Sequence, residues 1–277
     1  MLDKNFIAMT NFLMLSSVGK CNIIPDDIDI SVVLKYASEH AVIPLVVAGI
    51  KKHGKYSSEP VLETLEIISM QMVAKNIQSC FIVKNIFEDY KKDNIDYAVL
   101  KGESIASLYV EPDLRISGDI DLLVSEKDEK KALKILEKYG YFYEVRPSWF
   151  NETICKHKNQ KNIEIHTDLF DESRNDIFFK NIKIKSNAFS VITTSNYGEI
   201  SVLNPDDGIL FVYLHFVKHF LSSGAGIRQF TDVIVYSRHY LNEIDWNRFF
   251  SVLKEISYYD LFRFLISIAT EFLGVPM

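Results

Sequence analysis

Residues 97–124 read YAVLKGESIASLYVEPDLRISGDIDLLV, and the rest of the chain is placed by reference to the carboxylate pair Asp119 and Asp121 near its end. A strand points alternate side chains to the same side, so the two Asp residues point together and Ile120 points to the opposite layer. Leu122, Leu123 and Val124 prolong the strand as an apolar run, which predicts a buried central strand with the acidic pair at its solvent-reaching end. Two carboxylates on one edge repel and call for a cation. Hard divalent ions take oxygen ligands, often one or two carboxylates completed by substrate phosphates, so the pair suits Mg²⁺ better than zinc.

Upstream, the apolar run Ile95 to Leu100 predicts a strand, and Lys101-Gly102-Glu103-Ser104 predicts a turn into a helix carrying Ile105, Leu108 and Tyr109. A strand, a glycine turn and a helix N-terminus present free backbone N–H groups to an anion, and glycine permits its close approach. Lys101 can add a point charge there and Arg115 a bidentate fork. Gly102-Glu103-Ser104 followed by Gly118-Asp119-Ile120-Asp121 resembles the glycine–serine turn and Asp-x-Asp signature of the polymerase-β-type nucleotidyltransferase superfamily. The wider phrase, with Leu100-Lys101-Gly102, Leu108-Tyr109, Arg115 and the run from Gly118 to Val124, is similar to a bacterial branch of uncharacterised nucleotidyltransferases. The resemblance is strongest over residues 95–170 and looser over 205–235, and it does not reach the first ninety residues. One departure is plain: the superfamily sets Ser directly after Gly, whereas here Glu103 intervenes before Ser104.

The resemblance implies a third carboxylate on a neighbouring strand. In Ile163-Glu164-Ile165-His166-Thr167-Asp168 the polar residues alternate with isoleucines, so Glu164, His166 and Asp168 share a face. Glu164 matches the family's third acid, and His166 matches a His that follows it, as a contact to substrate or to the ligating acids. The looser echo adds His219 and Arg228, closing over nucleotide phosphates from a second, helical region. Read without the resemblance, His215 and His219 are one turn apart on a helix but lack the Glu of a zinc protease, and Arg228 and Asp232 form an i, i+4 surface ion pair.

The 277 residues, 48% of them hydrophobic, suffice for an ordinary packed core or for two modest domains. A formal charge of −6, with basic and acidic residues intermixed, argues against a long nucleic acid as partner. Three scattered cysteines suggest neither a disulfide framework nor a zinc knuckle and fit a reducing cytoplasm. The opening MLDKNFIAMTNFLMLSS reads as an amphipathic helix rather than a signal peptide, and no stretch reaches the roughly 18 apolar residues of a membrane span. Helices are predicted from Asp27 to His40, Ile43 to His53 and Pro60 to Tyr90, the last with Leu62, Leu65, Ile68, Met72, Ile77, Phe81, Val83 and Ile86 as its core stripe. Beyond the Asp pair come a helix capped by Ser125 and ended at Gly140, then strands at Tyr141–Arg146, Asn151–His157 and Asn162–Phe170. Asn204-Pro205-Asp206-Asp207 starts a further helix, Gly224 to Gly226 forms a turn, Ile227 onward is helical, and 243–275 are amphipathic helices.

The expected class is α+β: a small mixed β-sheet nucleotidyltransferase core at 91–203, between an N-terminal helical region at 1–90 and a C-terminal helical domain at 204–277. The expected activity moves a nucleoside monophosphate from a nucleoside triphosphate to an unidentified acceptor, a small molecule or a protein, with release of pyrophosphate. Asp119, Asp121 and Glu164 would be the catalytic and metal-binding acids, holding two Mg²⁺ ions or Mn²⁺ in their place. Lys101, Gly102, Ser104, Arg115, Gly118, His219 and Arg228 would bind the nucleotide. The alternative, motivated by Glu103, is an inactive nucleotide-binding or protein-interaction module on the same fold, and a weaker third is a metal phosphohydrolase.

Overall fold

A computed structural model describes residues 3–144, 152–169, 189–222, 224 and 226–276. The ends expected for strands at Arg146, Asn151 and Phe170, and Ala225 of the glycine turn, lie outside the described residues.

Four helices come first: α1 (Lys4–Ser17), α2 (Ile30–Glu39), α3 (Ile43–His53) and α4 (Pro60–Lys92). Helix α1 is buried nearly all round rather than along one stripe. Helix α3 crosses it so closely that a Cβ on Gly49 would lie 2.0 Å from the Phe12 carbonyl oxygen, and only glycine permits that approach. Asp29, rather than Asp27, caps α2, accepting from the Ser31 and Val32 amides.

The sheet begins with β1 (Tyr97–Val99), followed by the one-turn helix α5 (Glu103–Ala106), a 3₁₀ turn at Pro112–Leu114 and β2 (Asp119–Val124). Helix α6 (Glu129–Lys138) starts later than expected, because the Ser125 carbonyl and hydroxyl are spent on a turn with Asp128. Then come β3 (Phe142–Tyr143), β4 (Glu152–Lys156), β5 (Asn162–His166), β6 (Phe189–Thr194) and β7 (Gly198–Leu203). The seven strands are ordered β3-β4-β5-β2-β1-β7-β6. Strand β2 runs parallel to β5 and antiparallel to β1, which in turn is parallel to β7. Strands β6 and β7 were not among those expected from the sequence.

Helices α7 (Pro205–Ser222), α8 (Ile227–His239), α9 (Trp246–Glu255) and α10 (Tyr259–Ser267) follow, and α10 runs on into a wider π turn at Ile268–Phe272. Asn204 Oδ1 accepts from the Asp207 amide at the start of α7. Among the described residues no helix is long and apolar enough to cross a membrane.

The alternation of β2 sorts the sheet into two faces. Ile120, Leu122 and Val124 join a core with the second half of α4 and with α6, together with Ile163 and Ile165 of β5. Asp119, Asp121 and Leu123 face the other way, where Leu123 packs with Phe211 of α7. A third and larger core joins α1 to α3 with α7 to α10. Helix α4 spans both large cores, Leu62 in one and Cys80 to Tyr90 in the other. The stripe expected along it is only half buried: Leu62, Val83 and Ile86 are inside, whereas Ile68, in the middle of the helix between the cores, is exposed, and Phe81 is 68% exposed on the outward side of the turn that carries Cys80 and Val83 inward.

Candidate active site

The site forms at the end of β2. Asp121 is directly opposite Glu164 of β5, and the parallel register sets Asp119 opposite Asn162 and Leu123 opposite His166. The alternation that buries Ile163 and Ile165 therefore turns Glu164 and His166 toward the Asp pair. Asp121, Glu164 and His166 bring one ligand atom each to within 4.8 Å of one another. Asp168 falls past the end of β5 and accepts from the Leu169 amide.

Asp121 is the buried member of the pair and Asp119 the more open one. Lys101, just beyond β1, reaches Asp121 Oδ1 at 3.0 Å and Asp119 Oδ2 at 3.9 Å. His166 Nε2 is 3.2 Å from the same Oδ1, and since an ionised carboxylate only accepts, Nε2 carries the proton. Asp121 Oδ2, by contrast, is buried without a hydrogen-bond partner among the described residues. Burial by itself would raise the Asp121 pKa, but the His166 hydrogen bond and the Lys101 charge hold it well below the usual carboxylate range. Burial also works against the Lys101 ammonium, and Asp121 and Asp119 outweigh it, so its pKa is raised. Glu164 goes the other way: burial, and then the Asp121 charge, push it up to about 7.

Helix α7 closes the site from above. His215 Nε2 is 3.0 Å from Lys101 Nζ and 3.2 Å from His219 Nε2. An ammonium can only donate, so His215 Nε2 accepts and its ring is neutral. Burial and then the Lys101 charge lower the pKa of His215 well below its ordinary value, and the same causes lower that of His219. A cavity of about 130 Å³ opens between α7, α8 and the Gly102 turn, with Lys101, Gly102, Ser117, Asp119, His219 and Arg228 among its lining. Arg228 Nη1 donates to the Ile116 carbonyl at 3.0 Å. Gly118 precedes Asp119 and is exposed.

Three expectations about the anion pocket are met by different arrangements. Helix α5 is a single turn, too short to build the dipole of a helix N-terminus; what the turn offers is Gly102 itself, at φ +77°, a conformation that favours glycine. Arg115 is buried, with Nε and Nη2 on the two oxygens of Asp232 at 2.9 and 2.7 Å and Nη1 on the Gly102 carbonyl at 3.2 Å. Its fork thus grips a carboxylate and the turn, and Asp232 pairs with Arg115 and with the Tyr109 hydroxyl instead of forming a surface pair with Arg228. Ser104 is buried in α5 and does not line the cavity. Nor does Glu103, which accepts from Asn196 Nδ2 on the far side of the turn; burial pushes its pKa up.

A family described as uncharacterised nucleotidyltransferases matches residues 26–274 of the chain. The chain belongs to that family. Nucleotidyl transfer is the activity class that this membership carries, and the acidic cluster suits a divalent cation. No curated protein is similar enough in sequence to count as a relative. Among solved structures, the lincosamide antibiotic adenylyltransferase LnuA, lincomycin-bound, is 19% identical, with 56% of this chain and 94% of that one covered at a TM-score of 0.40. The antibiotic-resistance factor ANT(2'')-Ia is 10% identical, with coverage of 68% and 92% and a TM-score of 0.46. An antigenic nucleotidyltransferase-like protein from Paracoccidioides brasiliensis is 15% identical, with coverage of 58% and 75% and a TM-score of 0.40.

Ser117 and Lys161 were not expected at the site from the sequence. Ser117 lines the cavity, and Lys161 donates to the Ser117 hydroxyl at 2.9 Å and to Asn76 Oδ1. Ser117 sits two residues before Asp119, a place where its polarity reads as ordinary turn chemistry, and Lys161 reads as one more exposed lysine in a hairpin.

Proposed function

We propose that the chain transfers a nucleoside monophosphate from a nucleoside triphosphate to an acceptor oxygen. That oxygen attacks the α-phosphorus, the bond from the α-phosphorus to the bridging oxygen breaks, and pyrophosphate leaves with the electron pair. The observation that carries this reading is the buried Asp121 Oδ2, which has no hydrogen-bond partner among the described residues, beside Glu164. A buried carboxylate oxygen without a partner is costly, and an oxygen-rich set around it fits a hard cation.

Asp119, Asp121 and Glu164 would hold Mg²⁺, two ions or Mn²⁺ in their place, with His166 steadying Asp121. When bound, the metal supplies charge neutralisation at the phosphates and a lowered pKa for the acceptor hydroxyl. The chain's own side chains bind and orient. Lys101 and Arg228 bring positive charge to the cavity that would take the phosphates, and His219, a neutral imidazole, adds a hydrogen bond. Gly102 and Gly118 would let the phosphates approach the backbone. Glu164, the acid of β5 beside the pair, can take the acceptor proton. The acidic net charge favours a small molecule or a protein, rather than a long nucleic acid, as acceptor. Because Glu103 is turned away from the cavity, the reading as an inactive module loses its motive.

The test is calorimetric titration of each nucleoside triphosphate with and without Mg²⁺, followed by pyrophosphate detection in an acceptor screen. Metal-dependent binding is expected, and Asp121→Asn should lower any turnover by at least about 10²-fold. Absence of binding by every triphosphate would sink the proposal, and binding without pyrophosphate release for any acceptor would favour the module.

A further inference from the structure

The glycine turn and the hydroxyl that accompanies it come from different places in this chain. A Cβ built on Gly102 would lie 3.5 Å from Ser117 Oγ and 3.6 Å from the Asp119 carbonyl oxygen. The turn therefore rests against the segment that leads into the acidic pair. Ser117 is half-buried on the cavity wall, in company with Lys101, Gly102 and Arg228. Ser104, the serine that follows the glycine in sequence, is buried within α5 away from that wall.

Behind Ser117 stands Lys161, half-buried at the entry to β5. Its ammonium donates to Ser117 Oγ and to the buried Asn76 of α4. An ammonium has only donors, so Ser117 Oγ is the acceptor and its own O–H must point elsewhere. Among the described residues that O–H has no acceptor. A polarised hydroxyl with a proton to give, on the wall of a cavity flanked by cations, suits a phosphate oxygen.

We propose that Ser117, oriented by Lys161, is the hydroxyl that this chain offers to the β- and γ-phosphates of a nucleoside triphosphate, in place of Ser104. Ser117 touches the ligand; Lys161 is a positioning residue that fixes the hydroxyl and places a positive charge behind it. Glu103 can then occupy the turn without penalty, because the anion meets Ser117 on one side while Asn196 holds Glu103 on the other. The inference rests on the nucleotidyl-transfer reading and adds to it the residue that grips the leaving group.

The experiment titrates inorganic pyrophosphate with Mg²⁺ calorimetrically into the full chain and its single variants. Ser117→Ala should weaken pyrophosphate binding about tenfold, the loss of one hydrogen bond to a charged acceptor. Ser117→Thr keeps the hydroxyl and should recover most of it. Lys161→Met should weaken binding by a similar factor, while Ser104→Ala should leave it unchanged. Mn²⁺ affinity measured without pyrophosphate separates the anion contact from a distorted site, and it should be the same in Ser117→Ala as in wild type. Undiminished pyrophosphate binding by Ser117→Ala, or a loss confined to Ser104→Ala, overturns the assignment and leaves nucleotidyl transfer standing. Failure of wild type to bind pyrophosphate or any triphosphate overturns both.

Discussion

Glu164 and Asp121 are a pair of carboxylates driven apart by their surroundings. Asp121 takes the hydrogen bond from His166 and the Lys101 charge, and Glu164 is left with burial and a negative neighbour that push it up to about 7. The consequence for stability has a definite sign. In the unfolded chain Glu164 loses its proton near pH 4.3, whereas the folded protein keeps it to about 7. Between those values the native state binds more protons, so stability falls as pH rises and the loss is complete above the folded pKa. Glu164→Gln removes that slope. Melting curves of the metal-free protein from pH 5 to 8 should show the variant gaining on wild type by on the order of 1–3 kcal/mol at pH 8. Added Mg²⁺ should close the gap by stabilising wild type alone. A difference between the two proteins that does not change with pH would contradict this account.

At the level of elements, the buried Arg115–Asp232 pair ties the approach to β2 to α8 and, through the Gly102 carbonyl, to the glycine turn. Asp232→Asn would leave a guanidinium buried without its counter-charge, at a cost of about 3–5 kcal/mol. Replacing both partners by apolar residues, as in Arg115→Met with Asp232→Leu, should cost less than the single change, and urea unfolding of the three proteins checks the order. This pair also shows where reading the chain alone stops. The two residues are 117 positions apart, and the spacing pointed instead to Arg228, four residues from Asp232. Features with a local period were legible: the alternation around Asp119 and Asp121, the alternation around Glu164, and the Asn204-Pro205 cap all depend on neighbours in sequence. Strands β6 and β7 did carry a signal, the β-branched run Val191 to Thr194 followed by the turn at Ser195 to Tyr197. Ser117 could not be read as part of the anion pocket, because only tertiary packing brings it against Gly102.

Across the whole molecule, one core joins helices from both ends of the chain and a second joins α4 and α6 to the sheet that carries the acidic pair. The N-terminal helices bury Phe12, Leu13, Val46 and Ile50 in the same core as Tyr213, Val217, Val233 and Phe249 of the C-terminal ones. Helix α4 then carries Cys80, Val83, Ile86, Phe87 and Tyr90 across to the sheet. Apolar area removed from water is worth about 25 cal/mol per Å², so stripping one partner from each core exposes the apolar surface that partner covered. The site depends on both cores, since α7 and α8 bring His215, His219 and Arg228 to one side of it and the sheet brings the acids to the other. A fragment of residues 91–277 would lose α1 to α4 together. It should therefore fail to give a cooperative thermal transition and should aggregate or expose apolar surface to a reporter dye, while the full chain melts as a unit. A soluble 91–277 fragment with a sharp melt and retained Mn²⁺ affinity would show that the sheet and C-terminal helices form a self-sufficient catalytic unit, with the first ninety residues as an appendage.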